Sequence, residues 1–473
     1  MASGNQMNAP GLVKGLGLID STTLVMGSMI GSGVFIVSAD IARQTQSPAL
    51  LMATWLVTAI LTIIAALSYG ELAAAMPKAG GQYVYLREAF GPLSGFLYGW
   101  TLFTVIQTGT IAAVAVAFAI FLGELLPSVS ARNWIFKIGP LGLTTQMAVA
   151  MALLVLLTWV NTRGLKTGAR VQNIFTFAKI ASLAALIVLG IALGRREEAI
   201  SANFGDFWAG ADWSWAAVRM VGLAMVGSLF SSDAWHNVTF TAGEVRNPKR
   251  NLPLSLALGV GVVSVIYLLC NLVYLSALPL AAIQSAPEDR VATAVMAVMF
   301  GSSATWIMAL AVLVSTFGCV NGLVMAGSRV YYAMAQDGLF FKACGRLDPK
   351  THVPVASLWV QCAWGCTLTL SGAYSDLLDY VIFAVLLFYV MTIAGLFVLR
   401  RTRPEMERPY RAVGYPVLPA LYIGAAAVIE ILLLIHKPNY TWPGLIIVML
   451  GVPVYAAWTA MNKRRSLNEP VRD

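Results

Sequence analysis

About twelve apolar segments of roughly twenty residues, joined by short polar stretches, make up most of this chain, and twenty apolar residues is the length an α-helix needs to cross a bilayer core. They cover residues 17–42, 49–75, 92–125, 145–161, 171–193, 216–243, 253–278, 303–334, 355–371, 377–399, 414–435 and 441–461, and are numbered 1 to 12 in that order. Only 11% of the 473 residues are charged and 58% are hydrophobic, whereas a soluble domain carries about 25% charge. Too few charges remain to coat a water-soluble globule. A soluble enzyme, a disordered tail and a nucleic-acid module are excluded together, and an all-α polytopic membrane protein is expected.

The net charge of +9 has a topological origin. If both termini are cytoplasmic, 22 of the 31 basic residues fall in cytoplasmic stretches and 7 in external ones, the asymmetry that retention of Lys and Arg on the inside produces. Scattered in this way, the basic residues form no nucleic-acid footprint. Residues 1–16 and 462–473 are the expected cytoplasmic tails, and with no cleavable signal pattern before it, the first segment is expected to direct insertion. Five cysteines, Cys270, Cys319, Cys344, Cys362 and Cys366, lie in or beside apolar stretches without metal-ligand spacing, and are read as reduced packing residues. Three scattered histidines add no ligand set, so neither a metal nor a cofactor is expected.

Two segments are not uniformly apolar at mid-depth. Segment 1 contains Met29-Ile30-Gly31-Ser32-Gly33-Val34-Phe35, and segment 6 contains Phe230-Ser231-Ser232-Asp233-Ala234-Trp235. Glycine and serine weaken a helix, and an aspartate in hydrocarbon demands a partner or a wet cavity. A helix broken in mid-membrane offers free N–H groups to a carboxylate and free carbonyls to an ammonium group, so a pair of breaks suits an α-amino acid. In that reading Gly31, Ser32 and Gly33 receive the carboxylate, while the carbonyls of Ile30, Phe230 and Ser231 receive the amine. The competing reading of the glycines is close helix packing, since Gly27 and Gly31 form a small-xxx-small pair.

Several other polar residues lie within apolar stretches. Lys179 falls eight residues into segment 5, about 12 Å along a helix. It either fills an interior cation position or reaches back to cytoplasmic water. Asp233 can read a basic side chain, take up a proton or cap the break. Phe230 and Trp235 flank the break as gating rings or as packing aromatics, and the solitary His236 reads as structural. The patches Ser315-Thr316 to Asn321-Gly322 in segment 8 and Gln107 to Thr110 in segment 3 line a cavity or bond neighbouring helices. Glu71 and Glu88 are expected to order a loop with Lys78 and Arg87, and Glu430 has no evident partner.

The order and spacing of several motifs carry a resemblance. Gly27-Ser28-Met29-Ile30-Gly31-Ser32-Gly33-Val34-Phe35, Tyr69 and Glu71 with Pro77-Lys78-Ala79-Gly80-Gly81, Val171 to Thr176 with Lys179, and Glu244-Val245-Arg246-Asn247-Pro248 occur in sequence, followed by Phe317-Gly318, Asn321-Gly322, Ser328-Arg329 and Glu407-Arg408-Pro409. From Gly15 to about Pro409 the chain resembles the amino acid–polyamine–organocation superfamily, nearest to the L-type amino-acid transporter family. That resemblance implies a LeuT-like five-plus-five inverted repeat, 17–193 and 216–399, with two further helices over 414–461 and discontinuous segments 1 and 6. It implies sodium-independent exchange of L-amino acids by alternating access in the cell membrane, with Gly31 to Gly33 at the carboxylate break. Ile30, Ser231, Ser232, Asp233 and Trp235 then belong to the same substrate site, and Lys179, Phe230 and Ser315 to coupling or gating.

The departures limit the transfer. Ser232 and Ala234 replace the aromatic and glycine usual around the second break, so side-chain selectivity does not carry over. Animal relatives join a heavy subunit through an external cysteine between segments 3 and 4. Residues 126–144 contain none, so no disulfide-linked partner is expected. A proton-coupled symporter and, more distantly, a polytopic membrane enzyme are the alternatives.

Overall fold

Helix dominates because the segments have nowhere else to satisfy their backbone groups once water is gone. The structure, a computed structural model, describes residues 11–138, 141–211, 214–370 and 374–468. The outer parts of both expected tails lie outside the described residues. Among the described residues nine helices are long and apolar enough to cross a membrane, ten if the bent pair Leu18–Met29 and Gly33–Thr45 counts as one. Trp215–Ser231 and Val355–Leu370 are shorter apolar helices.

Most boundaries fall near those read from hydropathy, and the differences share one cause. Segment 5 runs over Leu165–Leu193 and segment 7 over Pro248–Ala277, each starting before its apolar run. Gly164, at φ 119°, and Pro248 at the first helical turn set those starts. The polar first turns, with Lys166 and Arg170 or Lys249 and Arg250, are helical although hydropathy does not register them. Segment 12, Pro438–Asn468, likewise outruns its apolar core. A small antiparallel hairpin, Trp134–Ile138 with Leu141–Thr144, departs from the all-α expectation in the stretch between segments 3 and 4.

Burial sorts the segments into centre and rim. Segment 3 (Pro92–Leu125) has 78% of its apolar window buried and Thr441–Lys463 of segment 12 only 17%, so the first is central and the second lies at the rim. Segment 7 packs along segment 2 (Pro48–Ala75), and segment 8 (Ala304–Gln336) along segment 3. The first half of segment 1 is enclosed by segments 5, 7 and 8, while its second half lies against Trp215–Ser231 of segment 6. The two interrupted segments therefore meet in the middle of the bundle.

One end of the bundle is fastened by ions. Arg329 donates from Nε and Nη2 to the two oxygens of Glu244 at 2.8 and 2.9 Å, and both side chains are 1% exposed. Glu244 also offers its backbone carbonyl to the amides of Gly15 and Leu16, and Leu16 returns its own carbonyl to Arg246 N. Glu71 does not pair with Lys78. It takes a two-point contact from Arg400 at 2.9 and 2.5 Å and the Ala412 amide at 2.7 Å, because segment 10 (Tyr374–Thr402) ends beside it. Glu88 pairs with Arg87, as its neighbour in sequence suggests, and with Arg403. The opposite end holds Arg43 with Asp289 and Arg290 with Glu124.

Removing one partner of a buried pair strands the other charge. Arg329→Met is expected to destabilise the purified protein by about 3–5 kcal/mol, read as a lowered midpoint in thermal unfolding. The double variant Glu244→Gln/Arg329→Met is expected to recover much of that loss.

Candidate functional site

Segment 1 leaves the helix at Ile30, whose ψ of 98° is extended, and resumes at Gly33 after a bend of 42°. Such a break frees carbonyls on one side and amides on the other. The carbonyls are taken. Lys179 Nζ donates to Gly27 O at 2.9 Å and Ile30 O at 2.7 Å, and Ser315 Oγ donates to Gly31 O at 2.7 Å and Ile30 O at 3.2 Å. Cys319 Sγ reaches Ser28 O, and Tyr267 Oη reaches Met29 O. Segments 5, 7 and 8 thus supply a donor for every carbonyl from Gly27 to Gly31. The amides differ: among the described residues no acceptor engages the N–H of Gly31, Ser32 or Gly33.

Those amides border a small cavity of about 20 Å³, walled also by Thr110, Phe230, Ser231 and Asp233. The surroundings of the glycines show where packing requires them, position by position. A Cβ on Gly27 would stand 1.9 Å from Gln172 Nε2, and one on Gly33 would stand 2.1 Å from Ser231 Oγ, so both are close-packing glycines. A Cβ on Gly31 would meet nothing nearer than Cys319 Sγ at 3.6 Å. Packing therefore does not demand glycine there.

Segment 6 stops at Ser231, runs without helix through His236, with Ala234 at φ 63°, and forms one further turn over Asn237–Phe240. Ile30 O already accepts two bonds. Phe230 O accepts the Asp233 amide and Ser231 O accepts Tyr267 Oη, which leaves one lone pair on each. Ser232 and Trp235 face the other way, into a second small cavity of about 20 Å³ beside Thr62, Tyr389 and Tyr422. Asp233 borders both spaces. Trp235 is 1% exposed and packs edge-on against Tyr69, with centroids 4.8 Å apart, instead of standing across the first cavity from Gly31.

Lys179 lies fourteen residues into its helix, deeper than the apolar run implied, and is fully buried. It does not reach water. Ile30, Lys179 and Ser315 form the support behind the cavity wall. The segment 8 patch divides: Ser315 and Cys319 hold the break, whereas Asn321 receives Asn161 Nδ2 and donates to Gln172 Oε1, tying segments 4, 5 and 8 together. In segment 3, Thr110 lines the cavity and Gln107 donates to Leu323 O. All five cysteines are free thiols. Glu430 is 8% exposed, and its Oε1 has no partner among the described residues.

Sequence reasoning missed Tyr267 and Tyr389. Tyr267 Oη bridges the two breaks, at 3.3 Å from Met29 O and 3.0 Å from Ser231 O. Tyr389 Oη lies between Asp233 and His236. Both lie in long apolar helices that carry other tyrosines, and nothing local to either run distinguishes them from packing residues.

Comparison with known proteins finds relatives that match almost the whole chain. The chain is 31% identical over 454 residues to the large neutral amino acids transporter small subunit 2 of Mus musculus, covering 94% of this chain and 81% of that one. It is 30% identical over 452 residues to the mouse Asc-type amino acid transporter 1, with 94% and 81% covered. Against the mouse b(0,+)-type amino acid transporter 1 it is 29% identical over 442 residues, with 93% and 85% covered. The family profile described as amino acid permease matches residues 16–456, from the turn before the first helix to the last, and on that match the chain belongs to the amino acid permease family.

Proposed function

We propose that this protein is a sodium-independent exchanger of L-amino acids, working by alternating access at the breaks of segments 1 and 6. The observation that carries this reading is the asymmetry at Ile30–Gly33: every carbonyl from Gly27 to Gly31 has a donor, and the amides of Gly31, Ser32 and Gly33 have no acceptor. Free amides at the start of a helix favour a carboxylate. The remaining lone pairs of Phe230 and Ser231 suit an ammonium group, and Phe230 and Asp233 border the same cavity. Lys179 contributes its own positive charge to the carbonyls of segment 1, which supports transport without a bound sodium ion. The names of the relatives, all amino-acid transporters, support the substrate class.

The same reading counts both shorter apolar helices as membrane-crossing, giving twelve spans. Residues 17–193 and 216–399 form two inverted five-helix halves, 414–461 form two added spans, and the tails 1–16 and 462–473 lie in the cytoplasm of a cell-membrane protein. One relative is named a small subunit. With no cysteine in residues 126–144, this chain is proposed to work without a disulfide-linked heavy subunit.

In proteoliposomes, uptake of labelled amino acid is expected to require amino acid inside the vesicle and to be unaffected by replacing sodium with choline. Uptake into empty vesicles driven by an inward proton gradient would favour a symporter. Lys179→Ala removes two charge-assisted hydrogen bonds from segment 1 and is expected to slow exchange about tenfold or more, with membrane insertion and gel-filtration behaviour retained. Unchanged kinetics across a substrate panel would remove Lys179 from the mechanism.

A further inference from the structure

Asp233 is a buried carboxyl without a counter-charge among the described residues. It is 7% exposed at mid-depth, and its hydrogen-bond donors are Tyr389 Oη, at 2.5 Å from Oδ1, and the Ala234 amide. The groups around it from the packed segments are Tyr69 from segment 2, Tyr98 from segment 3, Cys319 from segment 8, Tyr389 from segment 10 and Tyr422 from segment 11 (Val417–His436), with His236 on its own segment. None of these is a fixed cation. Lys179, a neighbour of Cys319, already gives two hydrogen bonds to segment 1. Asp233 also follows the carbonyl end of the helix Trp215–Ser231, whose dipole opposes a negative charge there.

The geometry of Tyr389 limits where protons can sit. Its oxygen is 2.5 Å from Asp233 Oδ1 and 2.7 Å from His236 Nδ1, and a phenol has one proton to donate. If that proton points to Asp233, the carboxylate is charged and Nδ1 must carry hydrogen toward the phenol. If it points to His236, Asp233 must carry the second proton and the trio is neutral. In a buried site lacking a cation, the neutral arrangement is favoured, because an unpaired charge costs far more than a shared proton.

We propose that Asp233, Tyr389 and His236 form a proton-binding site that borders the transport cavity through Asp233, and that the carrier closes over a neutral substrate only with that proton bound. Release follows the chain. The Asp233 proton passes to the Tyr389 oxygen, the phenol proton passes to His236 Nδ1, and the proton on His236 Nε2 leaves to water. The products are a carboxylate accepting from Tyr389 and an imidazole of the opposite tautomer, so charge and atoms balance. In exchange between like substrates the proton travels both ways, and its signature is the pH dependence of the rate. The inference rests on the exchanger reading for its role in transport, but the proton site itself can be tested without transport.

The test uses the full-length purified protein. In detergent, infrared difference spectra between acid and alkaline pH are expected to contain the C=O stretch of a protonated carboxyl that is absent in Asp233→Asn. Tyr389→Phe removes a bond that is stronger to the charged than to the neutral carboxyl, so the same band is expected to persist about one pH unit higher. In proteoliposomes, exchange of a neutral amino acid is expected to fall as pH rises through that range. Normalised to its own maximum, the profile is expected to be flat in Asp233→Asn and displaced upward in Tyr389→Phe. Identical infrared spectra for native protein and both variants overturn the proton site, whether or not the protein transports. Normal exchange with the same pH profile in all three overturns the coupling and leaves the exchanger reading intact. Absence of any labelled exchange counts against the exchanger reading and the coupling, and the spectra then decide the site alone.

Discussion

The carbonyls released by the interruption of segment 1 must be satisfied inside a bilayer, and the way this is done determines the rest of the site. Lys179, Ser315, Cys319 and Tyr267 converge on five consecutive carbonyls from three different helices. Without them the break would expose unpaired acceptors at a depth where each costs several kcal/mol, and the helix would have reason to close. With them, the bend is held open at no such cost, and the unengaged amides are left facing a cavity. One set of interactions therefore both stabilises the interruption and gives it a polarity.

Segment 6 is interrupted differently. Its break is crossed by side chains of its own and of segment 10, and it separates two spaces of similar size but unlike character. The space toward segment 1 is bordered by backbone amides, Thr110 and three serines; the other is bordered largely by aliphatic and aromatic groups around Tyr389 and Tyr422. Trp235 packs within a ring cluster of Tyr69, Tyr389 and His236 behind the break. A large ring in that position fixes the path of the non-helical stretch from the side away from the cavity.

Hydropathy located the helices well because the quantity that drives insertion is the one a window average measures. It misplaced the start of segments 5 and 7 because their first turns are polar in side chain yet helical in backbone, and this is why the depth of Lys179 was underread. The glycines near the first break look alike in sequence. Gly27 and Gly33 are distinguished from Gly31 only by what lies opposite, and that is set by Gln172 and Ser231 on other helices. Tyr389 was beyond reach for the same reason: the contact with Asp233 joins positions 156 apart. Glu71 was expected to bind its near neighbours, but its partner Arg400 is 329 positions away. Charge in the sequence identified which residues needed partners, and topology chose them.

The short parallel bridge between Leu16 and Val245 has a mechanical consequence. Leu16 lies just before the first helix, and Val245 follows the last turn of segment 6, so a few backbone bonds splice the outer ends of the two interrupted segments. A rigid splice turns two half-helices into one lever. Neither can swing away from the bundle alone while the bridge holds, and Arg329, fastened to Glu244 beside it, anchors that lever to segment 8. Any displacement of these ends must therefore carry both together or break the splice and the buried Arg329–Glu244 pair.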